Sequence, residues 1–361
     1  MSSIAGPKGA SIDGRRAGST DGCRTEDPVE YRALGDTGLT VSAIGFGCWE
    51  MGNPGYGSTD ESEVISAVHR AMELGVTLFD TAPNYGFGGS ETVLGKALGA
   101  RRKDIVLVSK VGITWDPVTF TNKFDGRYST IKRINEESLK RLGTDHVDLL
   151  LMHWPDPETP IAETMRALEE LKAEGKTRHI GVSNFTSYEL REAKKHAPIC
   201  ANQVGYNLFD RRWEREMFPT AQEIGVGVMA YGPMAHGLLT GTLPRENTFD
   251  EKDWRRHGLL FGQRLFGPNL DTNLDVVDKL AGVAADLGTT LPRLALAWVL
   301  KNPAVSVALS GCRSPREIEE NVEALETQIP DSALAEIDSI MTAAAGQTDV
   351  VPGRHHLPPV A

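Results

Sequence analysis

The sequence predicts an α/β fold of the (β/α)8 TIM-barrel class, with an N-terminal β-hairpin cap and long loops at the C-terminal face. From Val41 onwards, short apolar runs alternate with longer segments of helical periodicity, which is typical of repeated strand–helix units. Eight apolar runs occur, and eight units suit a closed barrel better than an open sheet. An open, doubly wound sheet stays an alternative, although no predicted strand is followed by its Gly-x-Gly-x-x-Gly turn.

The predicted strands are short and are separated by helices with recognisable ends. The helix that begins at Asp60 has a capping box with Glu63 and ends at Gly75, and Pro160 suits the first position of a later helix. Further helices are expected from about residue 90 and over residues 129–142. The eight strands are predicted at residues 43–47, 76–79, 105–109, 147–152, 179–182, 201–204, 226–230 and 305–309.

The chain is expected to form one large domain over residues 31–345. A hairpin with the turn Gly35-Asp36-Thr37-Gly38 precedes the first barrel strand and should cap the lower end of the barrel. Residues 1–30 are predicted to be a flexible tail, and residues 346–361 a C-terminal tail. Two long irregular segments, residues 112–128 and 234–273, should overhang the carboxyl ends of the strands, where such barrels place their active sites.

Composition excludes several classes of protein. The 361 residues carry a formal net charge of −11, so we expect no extended surface for nucleic acid or for an anionic membrane. The apolar stretches are too short to span a bilayer, and the amino-terminal segment lacks the apolar core of a signal peptide. The four cysteines and the histidines lack metal-ligand spacing, so we expect no metal site and a reducing, cytoplasmic setting.

Four chemically demanding residues follow predicted strands two, three and four. Asp80 and Tyr85 follow the second strand, Lys110 the third and His153 the fourth, so a barrel would bring them to one rim. Taken singly, each has an ordinary structural explanation as a cap, a packed aromatic, a surface lysine or a core histidine. Their joint occurrence favours catalysis, because a nearby ammonium would lower the pKa of a tyrosine that exchanges a proton with substrate. Asp80 would hold Lys110, and His153 would hydrogen-bond the substrate oxygen.

The order, spacing and local sequences of these four residues resemble the Asp-Tyr-Lys-His tetrad of the aldo-keto reductase superfamily. Further matches are the segment from Tyr31 to Ser42, Gly181-Val-Ser-Asn-Phe185, and Gly311-x-Arg313 continuing to Asn321. The resemblance covers residues 31–342 and implies a (β/α)8 barrel that binds a nicotinamide cofactor without a Rossmann domain. It also implies hydride transfer between that cofactor and a carbonyl carbon.

The resemblance further implies the cofactor contacts. Ser183, Asn184 and Gln203 would hold the carboxamide, Tyr231 would stack on the nicotinamide ring, and Trp49 would line the adjoining substrate pocket. Gly232 replaces the serine of the commoner Tyr-Ser-Pro segment and removes one hydroxyl contact. The full set of expected cofactor contacts is Trp49, Asp80, Ser183, Asn184, Gln203, Tyr231, Gly232, Pro233, Gly311, Arg313, Glu317 and Asn321.

Cofactor choice depends on the helix start Ser314-Pro315-Arg316-Glu317, which reads as an N-cap with a capping box. Family members that prefer NADPH often place Arg or Gln where this chain has Glu317, and a carboxylate there would repel the 2′-phosphate. Arg313 and Arg316 could compensate. The resemblance therefore favours NADP(H), with NAD(H) possible.

The predicted function is an NAD(P)H-dependent oxidoreductase that interconverts aldehydes or ketones and alcohols, with a small molecule as its partner. Two alternatives stay open: a non-catalytic nicotinamide-binding regulatory subunit, and an NAD-dependent alcohol or aldose dehydrogenase that runs oxidatively. Substrate identity depends on the two long segments, and neither it nor the oligomeric state follows from the sequence.

Overall fold

The protein is described from a computed structural model. The structure describes residues 29–51, 60–116, 118–119, 121–246, 249, 253, 255 and 261–348. Most of the two predicted tails therefore lies outside the described residues.

Strands and helices alternate along most of the chain, as the sequence predicts. The strands are β1 (Tyr31–Ala33), β2 (Thr40–Ser42), β3 (Ile44–Gly47), β4 (Leu78–Asp80), β5 (Val106–Val111), β6 (Ile113–Trp115), β7 (Asn122–Phe124), β8 (Val147–Met152), β9 (Thr177–Ser183), β10 (Ile199–Gly205), β11 (Gly227–Tyr231) and β12 (Val305–Gly311). The helices are α1 (Glu61–Glu73), α2 (Gly89–Leu98), α3 (Tyr128–Leu142), α4 (Ile161–Ala173), α5 (Ser187–His196), α6 (Met217–Glu223), α7 (Leu270–Asp286), α8 (Leu291–Lys301), α9 (Pro315–Glu323) and α10 (Asp331–Met341).

Eight parallel strands close into a barrel in the order β3, β4, β5, β8, β9, β10, β11, β12, and β12 pairs with β3 to complete the ring. This confirms the predicted fold class. Each of the eight predicted strands corresponds to one barrel strand, and no end differs by more than two residues. The shift matters at four site residues: Lys110 lies within β5, and the last residues of β4, β11 and β12 are Asp80, Tyr231 and Gly311.

The apolar runs are continuous because both faces of each barrel strand are buried. In β8, Leu149 and Leu151 belong to a cluster inside the barrel, whereas Leu150 and Met152 belong to the larger core between the strands and the helices. Successive residues of a strand point to opposite faces, so a strand between two cores needs apolar residues at nearly every position.

The amino-terminal hairpin closes the end of the barrel at which the strands begin. Strands β1 and β2 pair antiparallel, and Leu34 and Val41 are fully buried in the cluster inside the barrel. Gly35 has φ of +57° and lies against the backbone at Cys200 and Gly225, where a Cβ atom would collide with a carbonyl oxygen. The hairpin therefore leaves the opposite, carboxyl end of the barrel open for a site.

The segment between β5 and α3 is more regular than the sequence predicts. Strands β6 and β7 form an antiparallel hairpin in which Ile113 pairs with Phe124 and Trp115 pairs with Asn122. The prediction of an irregular segment over residues 112–128 was thus wrong. The strands are only three residues long, and such short runs are hard to separate from loop sequence.

The second long segment is only partly described. Residues 235–240 form a short 3-10 turn after β11, and the start of α7 at Leu270 shortens the predicted loop. The Asn273 side chain donates to the carbonyl of Ala345 at 3.0 Å, and the backbone amide of Arg264 donates to that of Gly346 at 2.8 Å. The first residues of the predicted C-terminal tail therefore pack on this segment.

Among the described residues, no single helix has both the length and the apolar composition needed to cross a membrane. Helices α7 and α8 have that length and composition only when taken together, and they are bent by 85° relative to each other.

Candidate active site

The four predicted catalytic residues meet at the carboxyl end of the barrel. Asp80 ends β4, Tyr85 begins a 3-10 turn five residues later, and Lys110 lies in β5 next to β4. His153 follows β8, and its ring contacts the Tyr85 ring edge-on with centroids 5.8 Å apart. The convergence follows from the parallel order of β4, β5 and β8, which places the ends of neighbouring strands side by side.

Lys110 is the centre of a buried hydrogen-bond network. Its ammonium donates to Asp80 Oδ1 at 2.6 Å, to the carbonyl oxygen of Thr81 at 2.9 Å and to the Tyr85 hydroxyl at 3.2 Å. The other carboxylate oxygen of Asp80 accepts from Gln203 Nε2 at 2.7 Å. Because each charged group is fully buried and partnered, removal of one partner would leave a buried charge at a cost of about 3–5 kcal/mol.

The pKa of Tyr85 differs from the sequence prediction. Burial raises the pKa of the Tyr85 hydroxyl well above its usual value, and the negative charge of Asp80 adds to the rise. The predicted lowering of this pKa is therefore not found, because burial and the Asp80 charge outweigh the contact with the Lys110 ammonium. The sequence spacing places the Lys110 ammonium near Tyr85, but it does not show how completely the folded barrel excludes water from the phenol. The Tyr85 hydroxyl is therefore neutral near pH 7, and it accepts the hydrogen bond from Lys110.

Burial also shifts the pKa values of the neighbouring titratable groups. Burial lowers the pKa of His153 well below its usual value, and the positive charge of Lys110 contributes, so the imidazole is neutral near pH 7. Burial also raises the pKa of Asp80 and lowers that of Lys110, while the attraction within the pair opposes both shifts. The 2.6 Å contact and the further hydrogen bonds favour the charged form of this pair.

A cleft of about 820 Å³ runs from this network to the amino terminus of α9. Asp80, Tyr85 and His153 line one end, where Trp49, Trp154 and Phe261 form an aromatic wall. Lys110 lies behind them and does not line the cleft. All predicted cofactor contacts do line it: Trp49, Asp80, Ser183, Asn184, Gln203, Tyr231, Gly232, Pro233, Gly311, Arg313, Glu317 and Asn321.

The residues predicted to hold a carboxamide already bond to one another. The Tyr231 hydroxyl donates to Asn184 Oδ1 at 2.9 Å, and Asn184 Nδ2 donates to Ser183 Oγ at 3.0 Å. The Ser183 hydroxyl donates to the carbonyl oxygen of Gln203 at 2.8 Å. Asn184 has a left-handed backbone with φ of +62°, a conformation that asparagine tolerates better than most residues. The chain thus fixes these polar groups on three neighbouring strands before any ligand binds.

The far end of the cleft is an ion pair at the start of α9. Ser314 Oγ caps the helix by accepting from the backbone amide of Glu317 at 3.4 Å. The predicted capping box is only half formed, because the Glu317 carboxylate accepts instead from the Arg313 backbone amide at 2.7 Å and from its guanidinium at 2.9 Å. Arg313 lines the cleft but is paired with Glu317, whereas Arg316 is exposed and does not line the cleft.

Polar atoms along the cleft indicate that it suits a ligand with many hydrogen-bonding groups. Five lining residues have a buried side-chain atom without a hydrogen-bond partner among the described residues: Glu50 Oε2, Asn84 Oδ1, Asn122 Oδ1, His153 Nδ1 and Ser310 Oγ. Buried polar atoms are normally satisfied, so an extended polar ligand fits this cleft. A nicotinamide dinucleotide is such a ligand.

Sequence reasoning missed Glu50, Ser310 and the hydrogen bond between Gln203 and Asp80. The only sequence signal was position, since Glu50 follows Trp49 and Ser310 precedes Gly311. In the described part of the chain, no group of three or more His, Cys, Asp or Glu residues could hold a metal ion. Cys48, Cys200 and Cys312 are free and buried.

Comparison with known proteins agrees with this geometry. The sequence model of the Aldo/keto reductase family matches residues 43–342. Aldo-keto reductase YhdN of Bacillus subtilis (strain 168) is 39% identical over 296 residues, which is 81% of this chain and 87% of that protein. The NADH-specific methylglyoxal reductase of Escherichia coli (strain K12) is 36% identical over 313 residues, 83% of this chain and 94% of that protein.

Among solved structures, the glycerol dehydrogenase AKR11B4 from Gluconobacter oxydans is similar with a TM-score of 0.79 and 30% identity. The match covers 90% of this chain and 98% of that one. The chain belongs to the Aldo/keto reductase family, and it is an oxidoreductase that uses a nicotinamide cofactor to interconvert carbonyl and alcohol groups.

Proposed function

We propose that Tyr85 is the general acid of carbonyl reduction and that His153 orients the carbonyl oxygen. The observation that carries this proposal is the chain of hydrogen bonds from Gln203 through Asp80 and Lys110 to the Tyr85 hydroxyl, at the aromatic end of the cleft. These hydrogen bonds hold the Tyr85 hydroxyl from the side away from the cleft and leave its proton available to a substrate oxygen. A bound nicotinamide supplies the hydride.

The protonation states support this division of roles. A neutral Tyr85 has a proton to donate, and the neutral His153 imidazole has one N–H with which to bond the same oxygen. Lys110 then stabilises the negative charge that develops on the Tyr85 oxygen as its proton leaves. Asp80 holds Lys110 in place and is a positioning residue. A positioned proton transfer of this kind contributes about 10²–10⁴-fold to the rate.

For the cofactor we propose NADH in preference to NADPH, although the sequence alone favours NADPH. Glu317 occupies the position at which the family's NADPH-preferring members often carry Arg or Gln, and its carboxylate already neutralises Arg313. A 2′-phosphate there would meet a carboxylate and would have to displace that ion pair. The similar reductase from Escherichia coli is NADH-specific by its name, which agrees with this choice.

For the substrate we propose a small, oxygenated carbonyl compound or alcohol. The aromatic wall of Trp49, Trp154 and Phe261 shares the cleft with two asparagine side-chain oxygens that have no hydrogen-bond partner among the described residues. These acceptors, on Asn84 and Asn122, suit a substrate with hydroxyl groups. Two similar proteins act, by their names, on methylglyoxal and on glycerol.

A panel of small aldehydes, ketones and polyols with each cofactor tests the proposal. We expect oxidation of NADH, followed by its absorbance, with hydroxylated aldehydes and dicarbonyls, at a higher kcat/KM than with NADPH. Faster NAD reduction by polyols than NADH oxidation by any carbonyl would favour the oxidative dehydrogenase. Tight NADH binding without turnover of any panel member would contradict the proposed acid role and favour a regulatory subunit.

A further inference from the structure

Six aromatic rings form a closed circuit of contacts at the end of the cleft that holds Tyr85. Five of the neighbouring pairs have ring centroids 5.8 to 6.2 Å apart, and the sixth pair is consecutive in sequence. In order around this aromatic circuit, the residues are Tyr85, Trp49, His236, Phe261, Trp154 and His153, and all of them line the cleft. Phe261 is three rings from Tyr85 in either direction, so it is the member farthest along the circuit from the proposed proton donor.

Phe261 differs from the other members in the way the fold places it. The other five rings follow the ends of β3, β4, β8 and β11 within five residues, so the barrel itself positions them. Phe261 instead belongs to the long segment between β11 and α7. Its backbone is left-handed, with φ of +46°, a conformation that a bulky residue keeps only where its surroundings fix it. Contacts outside the barrel strands must therefore hold this ring in the circuit.

Arg212 is the residue that fixes the Phe261 backbone. Its side chain is fully buried, and its guanidinium donates to the carbonyl oxygen of Phe261 at 2.8 Å. The same guanidinium donates to the two carboxylate oxygens of Asp210 at 2.6 and 2.9 Å. A second tether lies two residues beyond Phe261, where Gln263 Nε2 donates to the carbonyl oxygen of Phe209 at 2.6 Å. The segment that follows β10 thus holds the segment that carries Phe261 at two points.

The choice of an arginine suits this task. A guanidinium is planar and carries five donors, so it can bond to both oxygens of a carboxylate and to a carbonyl oxygen at the same time. The ring that it fixes is 8% exposed and stacks on Trp154 with ring planes at 17°. It also contacts the Tyr231 ring edge-on with centroids 5.6 Å apart. Phe261 is therefore packed between the residue that follows His153 and the residue expected at the nicotinamide.

Resting on the proposed function, we propose that Phe261 limits the size of the substrate and that Arg212 is its positioning residue. The ring closes the site against the group attached to the reacting carbonyl, so the site takes carbonyl compounds with a short chain. A carbonyl compound that carries a phenyl group would overlap the Phe261 ring. Arg212 does not touch the substrate in this assignment; it acts through the Phe261 carbonyl oxygen.

Oxidation of NADH with glyceraldehyde and with benzaldehyde tests the size limit. Phe261→Ala removes one phenyl ring and benzaldehyde brings one back, so the ratio of kcat/KM for benzaldehyde to that for glyceraldehyde should rise by roughly tenfold or more. Phe261→Leu retains most of the bulk and should restore a ratio within about threefold of the wild type. NADH affinity, measured by calorimetry, should change by less than about twofold in both variants. Phe249→Ala makes the same substitution in the same long segment, at a ring outside the cleft lining, and is the matched control.

A double-mutant cycle tests the positioning role of Arg212. Arg212→Lys keeps a positive charge beside Asp210 but replaces the planar fork by a single ammonium, and Gln263→Leu removes the second tether. Each should raise the benzaldehyde-to-glyceraldehyde ratio by about threefold, and by less than about twofold in the Phe261→Ala background, where the positioned ring is gone. General destabilisation would not produce this non-additivity. Arg215→Lys, at a side chain that is 87% exposed and outside the cleft lining, is the control.

Several results would overturn the inference. An unaltered ratio in Phe261→Ala, with turnover of glyceraldehyde retained, would remove the size limit and leave the proposed function intact. Equal effects of Arg212→Lys with and without Phe261 would show that Arg212 does not act through that ring. Gln263→Leu changes no charge, so an unaltered ratio in that variant would contradict the tethering even where Arg212→Lys does not fold.

Two further outcomes separate this inference from the proposed function. A loss of NADH affinity by about tenfold or more in Phe261→Ala would place the ring on the cofactor and contradict a role in substrate size. Absence of turnover by the wild type with every carbonyl compound and both cofactors would overturn the proposed function itself, and this inference with it.

Discussion

At the scale of single residues, Tyr85 shows how burial and charge compete. An ammonium contacts its hydroxyl at 3.2 Å, yet burial and the Asp80 carboxylate hold its pKa above the usual value. The contact with Lys110 therefore does not prepare a phenolate in advance. In the proposed mechanism, the contact stabilises charge that appears only when the proton moves, which is the stage at which stabilisation accelerates a reaction.

Replacement of Tyr85 by Phe tests the acid role directly. The variant keeps the ring in the cleft and removes only the proton donor, so kcat for carbonyl reduction should fall by about 10²–10⁴-fold. NADH affinity, measured by calorimetry, should stay within about a factor of two, because the aromatic ring is retained. Tyr188→Phe, at a residue that is 75% exposed on α5, is the control. Retained turnover in Tyr85→Phe would show that another group supplies the proton.

The pH dependence of reduction follows from the same environment. Reduction needs a protonated Tyr85, and the proton is lost only as the pH rises through the raised pKa, which lies above the usual value near 10. Ionisation of Tyr85 should therefore not reduce kcat between about pH 6 and pH 9 at saturating substrate and NADH. A decline of kcat with an apparent pKa near 8 would contradict a raised Tyr85 pKa.

Glu317 is the residue whose change should alter cofactor choice. Glu317→Arg removes the carboxylate that binds Arg313 and adds a cation, so the ratio of kcat/KM for NADPH to that for NADH should rise by roughly tenfold or more. The N-cap survives, because Ser314 accepts from the backbone of residue 317. Glu326→Arg makes the same charge change at an exposed position outside the cleft and should leave the ratio unaltered. An equal ratio in Glu317→Arg would remove this residue from selectivity.

At the scale of elements, the amino-terminal hairpin stabilises the barrel without contributing to the site. Leu34 is fully buried in the cluster inside the barrel, and the turn at Gly35 lies on the first residues of β10 and β11. The proposed catalytic residues lie at the other end, where β4, β5 and β8 end. This separation predicts that the two ends respond differently to substitution.

Truncation of the hairpin side chain tests that separation. Leu34→Ala should lower the free energy of unfolding by about 2–5 kcal/mol, because it leaves a cavity inside the barrel. Urea denaturation followed by circular dichroism measures this loss, and kcat per folded molecule should be unchanged. Leu39→Ala, in the same hairpin but only partly buried, should cost less. An altered kcat at low temperature, where the variant stays folded, would show coupling between the ends.

At the scale of the whole molecule, one cleft collects residues from most barrel strands. Its lining comes from β3, β4, β9, β10, β11 and β12 and from the segments that follow them. A ligand in this cleft contacts groups that are together only in the folded chain. Its binding free energy is therefore coupled to the stability of the entire barrel.

This coupling gives a prediction that needs no substrate. NADH at 100 times its dissociation constant should raise the free energy of unfolding by about 2.7 kcal/mol. NADPH at the same concentration should give a smaller increase, and Glu317→Arg should reverse that order. Denaturant midpoints measured with each cofactor check both statements. A larger shift with NADPH than with NADH in the wild type would contradict the proposed cofactor preference.

The sequence by itself determined the barrel and the convergence of the four polar residues. Apolar runs such as β8 are buried on both faces, and parallel strands end together, so Asp80, Tyr85, Lys110 and His153 could be placed on one rim from their positions alone. These conclusions rest on local periodicity and on a regular topology, both of which can be read from a single chain. The residue roles at that rim stay proposals.

Only the tertiary structure decided the state and the partners of the individual groups. It raised the pKa of Tyr85, directed Glu317 to Arg313, joined Gln203 to Asp80, and brought Glu50 against Gly311. Burial and long-range pairing depend on which segments pack together, and Glu50 and Gly311 meet only because β12 closes the barrel against β3. Spacing along the sequence does not predict which residues meet when the barrel closes, so the contacts and protonation states in the cleft follow only from the folded chain.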